Sequence, residues 1–251
     1  MGILRIVCGG YRGGVFAMNF SGPDGIEIAG IRVADTTLIR IGWILPLVSV
    51  VCSMTIHAAS GHARDFPFFV SESDYPGLER WFFTIGLAMT SPLICLLSHR
   101  VNVRFKSERT TAHEVSFFAG LASSVSLFVL AMANMYDQLL LHSLASIGLF
   151  VGGFIWGVST HSIYTSNNLS AQKLRQVGLW SSLVGFLVMN LSLLFYVLVL
   201  TMLSSFSADY STTVTLNQLQ PAINLAAPAE YLLIIGLMMT LASIGKDLDQ
   251  M

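Results

Sequence analysis

Between positions 38 and 244 the chain repeats one pattern six times: an apolar run about as long as a bilayer is thick, then a polar break. A helix needs about 20 apolar residues to cross the hydrocarbon core. Spanning as a helix also pairs every backbone N–H and C=O within the segment, where lipid offers no partner. The runs are 38–59, 81–97, 115–136, 139–164, 177–204 and 226–244. They predict an all-α integral membrane protein, a six-transmembrane-helix bundle. Composition agrees, since 54% of residues are hydrophobic and 11% charged, against about 25% charged in a soluble domain. A net charge of -1 and the absence of any lysine or arginine run exclude a broad basic surface, so nucleic acid is not an expected partner.

Before the first run lies a glycine-rich extension, residues 1–37, with eight glycines. Residues 15–20 and 26–33 alternate apolar and polar side chains around Pro23-Asp24-Gly25. There proline presets its torsion, aspartate bonds locally and glycine accepts positive φ. A small β-hairpin is expected. The segment Gly9-Gly10-Tyr11-Arg12-Gly13-Gly14 lacks the strand, helix and spacing of a phosphate-binding loop and reads as a linker. Ile6 stands where a myristoylation signal needs Ser or Thr, which leaves palmitoylation of Cys8 as the only lipid-anchor option. Cys8, Cys52 and Cys95 are scattered and suggest neither a disulfide framework nor a CxxC site.

Six spans place both termini on one side. Every basic residue except Arg64 and Arg80 falls on that side, so the positive-inside rule makes both termini cytoplasmic. The expected organisation is a cytoplasmic extension 1–37, a membrane domain 38–245 and a short tail 246–251. Arg100, Arg104, Lys106 and Arg109 form a cytoplasmic basic patch, read either as a phosphoinositide contact or as the ordinary result of the charge bias. In the fourth run, Gly148, Gly152, Gly153 and Gly157 make small-xxx-small pairs that let another helix approach within the bundle.

The polar chemistry gathers at the opposite boundary, chiefly in residues 56–81. Topology brings His57, His62, Asp65, Asp74, Glu79, Asp137, His142 and Glu230 toward it, and ionisable groups at such depth need a partner or a purpose. One reading is a structural or lipid head-group cluster, with His142 and Glu230 as a buried hydrogen-bonded pair. The other is a catalytic set of His62, Asp65, His142 and Glu230, because imidazole and carboxylate together can bind zinc or exchange protons. No HExxH or HxxxH spacing occurs, so no metal and no cofactor are expected. Ser60-Gly61-His62 and Ser143 beside His142 are not a nucleophile elbow.

With these segments placed, the chain resembles the damage-regulated autophagy modulator (DRAM) branch of the Frag/DRAM/Sfk superfamily of six-span proteins. The likeness rests on His62 and Asp65, the segment from Phe66-Pro67 to Glu72-Ser73, and Pro76-Gly77-Leu78-Glu79, where the family has Pro-Glu. Arg104-Phe105-Lys106, Ala133-Asn134, His142, Ala229-Glu230-Tyr231 and Lys246-Asp247-Leu248-Asp249 follow in family order. The resemblance spans residues 38–250. It implies an endolysosomal, Golgi or other endomembrane location and a role in autophagy, trafficking or membrane-lipid and GPI-anchor homeostasis.

The expected function is therefore a multi-pass membrane protein that modulates lipid homeostasis, trafficking or autophagy through a polar non-cytoplasmic cap, without catalysis. Membrane lipids are the expected partners, together with membrane proteins. The alternatives are a lipid- or GPI-anchor-remodelling enzyme and a structural subunit of a membrane assembly.

Overall fold

The structure is a computed structural model that describes residues 4–5, 17–20, 22, 24–28, 30–104, 111–163, 168–203 and 212–248. The expectations for Gly9–Gly14, Cys8, Lys106 and Arg109 lie outside these residues. Strands β1 (Leu4–Arg5), β2 (Ala17–Asn19), β3 (Gly25–Ile28) and β4 (Ile31–Ala34) form one antiparallel sheet in chain order. The expected hairpin is the β2–β3 pair, with Met18 opposite Ile28 and Asn19 opposite Glu27. The run 26–33 is not a single strand, however. Gly30, at φ 80°, sits in the left-handed region open to glycine and folds the run into a second hairpin with Ile26 opposite Val33.

The sheet passes directly into α1 (Asp35–Ala59), followed by α2 (Leu78–Arg104), α3 (Thr111–Met132), α4 (Leu139–Ile163), α5 (Leu169–Met202), short α6 (Thr212–Gln218) and α7 (Gln220–Leu248). Six of these helices are long and apolar enough to cross a membrane, which bears out the fold class. Several overrun their apolar runs, because helix hydrogen bonding continues wherever polar side chains find partners. Thus α2 reaches Arg104, and α6 with the start of α7 lies between the fifth and sixth apolar runs. The third helix stops early at Met132, and Asn134 accepts the Tyr136 N–H at 2.7 Å in the turn that follows.

Helices α1 to α4 pack in sequence, α5 lies along α7, and α7 also meets α1 and α4. The α5–α7 approach is backbone to backbone. A Cβ on Gly178 would fall 2.6 Å from the Gly236 carbonyl oxygen, and one on Gly236 would fall 2.5 Å from that of Gly178. The α4 glycines act within the bundle as expected, Gly148 and Gly152 against Ser126 and Ser123 of α3, and Gly157 against Leu179 and Thr240.

At the end carrying the sheet, Ile26, Leu38, Ile39, Leu97 and Ile244 form one apolar cluster. Beside it Arg100 grips Asp35 through Nε–Oδ1 at 2.7 Å and Nη2–Oδ2 at 2.8 Å, and also donates to the carbonyls of Phe20 and Gly22. Arg104 bonds Asp24 at 2.6 Å, and buried Arg175 bonds Asp247 and Ser243. This takes Arg100 out of the basic patch: it is 2% exposed and fastens the sheet to the helices, so its charge does not face lipid head groups. A guanidinium matches a carboxylate in a bidentate fork and is the cation least costly to bury.

Arg100→Ala would leave the Asp35 carboxylate and two carbonyls buried without their donor. The expected loss is about 3–5 kcal/mol of stability, read as a lower thermal midpoint in detergent. Arg100→Lys is expected to recover only part of it, because an ammonium cannot form the fork.

Candidate functional site

At the opposite end the segment between α1 and α2 folds back over the bundle as a cap. Helix α1 closes with Ser60 N–H bonded to Ile56 O, and Gly61 at φ 73° takes the left-handed position that ends many helices. Arg64 then forks onto Glu72, Nε–Oε2 at 2.7 Å and Nη2–Oε1 at 2.8 Å. The same carboxylate accepts the Phe69 N–H at 2.8 Å and so caps the 3-10 turn Val70–Ser73. Tyr136 O–H donates to the Glu72 carbonyl at 3.0 Å, and Arg64 Nη1 reaches Gln220 and Asn217 at the α6–α7 junction.

Helix α7 holds the turn from beneath. Val70 N–H donates to Glu230 Oε2 at 2.6 Å, and Tyr231 O–H donates to the Phe68 carbonyl. His142, one turn into α4, lies 2.7 Å through Nδ1 from the Ala133 carbonyl oxygen. A carbonyl only accepts, so Nδ1 carries the proton and Nε2 is a bare acceptor. That Nε2 is buried with no protein partner. His142 and Glu230 therefore bond backbone groups and not one another, which corrects the expected direct pair.

Both residues instead line two adjoining cavities. The first, of about 120 Å³, runs down the bundle among Pro46, Phe83, Leu127, Trp156 and Leu241, and meets Ser71, His142 and Glu230 at its cap end. The second, of about 290 Å³, lies toward α5 and α6, is lined by Phe186, Met189, Asn190 and Leu216, and shares Ser71, Ser146, His142 and Glu230 with the first. An engineered apolar cavity of about 150 Å³ takes up benzene, so these spaces accommodate segments of acyl chain.

A separate cluster sits between α1 and α2. Nδ1 of His62 lies 2.7 Å, and Nδ1 of His57 3.3 Å, from the same oxygen, Oε1 of Glu79. Ser53 Oγ, one turn before His57, donates to the carbonyls of Ser73 and Glu79, both at 2.9 Å. Asp74 is fully buried, with Arg80 Nε 3.7 Å from Oδ1. Burial pushes the Asp74 carboxyl up to about 7; Asp137 adds to the rise, while Arg80 and the Met135 amide oppose it. Burial likewise raises the Tyr136 hydroxyl above its ordinary range.

The sequence-selected residues thus divide. His57, His62 and Glu79 come together; His142 and Glu230 share a cavity wall; Asp74 stands by Arg80. Asp65 is exposed, and exposed Asp137 accepts from Asn134 Nδ2 at 3.2 Å. The set His62, Asp65, His142 and Glu230 does not form one metal-binding group among the described residues. Arg64 and Glu72, which organise the cap, were not singled out from the sequence. Their signal was the spacing from Phe69 to Glu72, which matches the acidic half of a capping box.

A family description, the Frag1/DRAM/Sfk1/Cwh43P N-terminal domain, matches residues 36–251. No curated protein and no solved structure matches the chain. The matched region takes in all seven helices from the second residue of α1 onward and leaves out the sheet.

Asp74 generates a pH prediction. Its folded-state value lies above the ordinary 3.8, so the folded protein holds the proton longer than the unfolded chain. The sign follows: Asp74 lowers stability progressively as pH rises from about 4 to about 7. Asp74→Asn removes this dependence. Thermal unfolding of both proteins from pH 5 to pH 8 is expected to show the variant gaining on wild type, by up to roughly 3 kcal/mol at about 1.4 kcal/mol per unit over the two units below pH 7.

Proposed function

We propose that this chain, which belongs to the Frag1/DRAM/Sfk1/Cwh43P N-terminal domain family of multi-pass membrane proteins, binds a membrane lipid. Acyl segments would occupy the two cavities, and the head group would meet His142 and Glu230 beneath the cap. Through this binding the protein would modulate membrane-lipid homeostasis, trafficking or autophagy, with no catalytic step.

The observation that carries the proposal is the pairing of an apolar cavity with convergent polar groups at one end. The His142 Nε2 acceptor is buried and unpartnered, which suits a hydroxyl or amine donor of a lipid head group. Buried acceptors left without a donor cost about 1–3 kcal/mol, so a donor supplied by a ligand contributes binding energy there. Pockets that bind small molecules share this form, mostly apolar with a few placed polar groups.

We orient the cap toward the non-cytoplasmic side. The opposite end carries Arg32, Arg40, Arg104, Lys173 and Lys246, whereas the cap has Arg64 and Arg80, each paired with a buried carboxylate. This asymmetry supports the positive-inside assignment. The DRAM-like order of His62, Asp65, Ala133-Asn134 and His142 supports placement in that branch and on endolysosomal or Golgi membranes. The enzymatic alternative draws less support, since its four residues are split between two clusters and the protein surface.

Gly153 faces the first cavity, where an added Cβ would meet Leu237 at an ordinary 3.5 Å. Gly153→Leu is therefore expected to fill cavity space without displacing backbone. Lipid extracted from protein purified in mild detergent and quantified by mass spectrometry should fall at least about fivefold, roughly 1 kcal/mol of lost binding. His142→Ala should change which head groups are retained. Equal lipid content and composition in wild type and both variants would remove the proposal.

A further inference from the structure

We propose that His57, His62 and Glu79 form a binding site for one divalent cation of the zinc class. One ligand atom from each residue lies within 4.8 Å of the others. In a tetrahedral zinc site, with bonds of about 2.0–2.2 Å, neighbouring ligand atoms sit roughly 3.3–3.5 Å apart. The Glu79 Oε1 to His57 Nδ1 separation is already 3.3 Å, and that to His62 Nδ1 is 2.7 Å. On the carboxylate side, admitting an ion requires the more exposed histidine to withdraw by about half an ångström, and the third separation, within 4.8 Å, closes as both rings turn onto the ion.

Charge balance in the cap points the same way. Glu72 has the Arg64 fork and Asp74 has Arg80, but Glu79, fully buried, has no arginine or lysine among its described partners. Both histidine contacts fall on Oε1, while Oε2 of Glu79 and Nε2 of His57 are buried without a protein partner. A purely structural histidine–carboxylate–histidine network leaves the carboxylate without a fixed counter-charge, and an ion held through both carboxylate oxygens would engage Oε2 as well. Such orphans in a native interior call for an explanation, an ion among them. A divalent cation on the carboxylate supplies the missing charge.

The donors are also held in place. Phe68 meets the His57 ring edge-on at 5.5 Å, and Tyr75 stacks on His62 at 4.5 Å. Gly77 leaves the space into which the carboxylate turns, since a Cβ there would fall 2.5 Å from Glu79 Oε2. Two imidazoles and one carboxylate favour zinc over magnesium or calcium, which take hard oxygen ligands. With three protein ligands the fourth position is open, and the His62 side chain, 38% exposed, marks the route by which ion and water reach it. None of the three residues lines the lipid cavities, so the two proposals stand independently.

The test is zinc titration of the full chain in detergent after chelator dialysis, with a competing chromophoric chelator and elemental analysis of the recovered protein. The expected result is about one zinc per chain, with magnesium a poor competitor. His62→Ala alters the exposed ligand and is expected to fold, checked by its thermal midpoint without metal. It should weaken zinc binding at least tenfold, and Glu79→Gln should weaken it further. Gly77→Ala changes no donor and should also weaken binding, by pushing the carboxylate aside. Sub-stoichiometric zinc on wild type would overturn the proposal, as would equal affinity in His62→Ala, which would locate the ion elsewhere, or equal competition by magnesium.

Discussion

The Arg64–Glu72 pair is the interaction on which the cap depends. A carboxylate with no exposed surface needs a cation and hydrogen bonds in fixed geometry, and Glu72 obtains both from its own loop. Arg64 supplies the fork and the Phe69 amide the third bond. Satisfying Glu72 folds residues 64–73 into a tight unit, and that unit then offers the Val70 amide and the Phe68 carbonyl downward to α7. The position of Ser71 over both cavities, and of Phe68 against His57, follows from this one neutralisation.

The other end of the bundle solves the same problem with the same chemistry. Arg100 with Asp35 and Arg175 with Asp247 bury complete guanidinium–carboxylate pairs where α1, α2, α5 and α7 terminate. Helix α7 takes part at both ends, through Glu230 and Tyr231 beneath the cap and Asp247 opposite. It is thus the strut that connects cap, cavities and sheet end, and its register against α5 is fixed where Gly178 and Gly236 meet. The amino-terminal sheet depends on this arrangement as well, because Arg100 holds the carbonyls of Phe20 and Gly22.

The six spans and the hairpin were legible because apolar length and turn chemistry are local signals. Which glycines mattered most was less legible: the GxxxG-like spacing in α4 drew notice, while Gly178 and Gly185 of α5 stand seven positions apart and meet Gly236 and Ala229 of α7 only through the fold. Of the basic patch, Arg100 was not separable in the sequence, because a cation near a helix end looks the same whether it faces lipid or turns inward to a carboxylate 65 positions away. How the polar residues of the cap end group was not legible, and Asp65 and Asp137 remain exposed. His57 and His62 meet Glu79 across the loop, and His142 turns back to Ala133, since loop geometry and tautomer choice leave no trace in residue spacing.

The location of the cavities has its own cause. Along the sequential interfaces a glycine on one helix receives a serine from its neighbour: Gly86 faces Ser49, Gly120 faces Ser98, and Gly148 and Gly152 face Ser126 and Ser123. Ser91 and Ser124 add reciprocal bonds to each other's carbonyls at 2.8 Å. In lipid, where the hydrophobic effect does not drive helices together, such close packing and hydrogen bonding are what join them. Among the described residues α4 approaches α7 closely only at Gly157, where a Cβ would lie 3.0 Å from the Thr240 methyl; nearer the cap, Gly153 meets the Leu237 side chain at ordinary van der Waals distance. Above that contact the seam between these two helices opens into the first cavity, which Gly153 and Leu237 both line. Space between tightly joined layers is retained because the surrounding interfaces resist collapse, and the polar turn held by Glu72 and Glu230 roofs it.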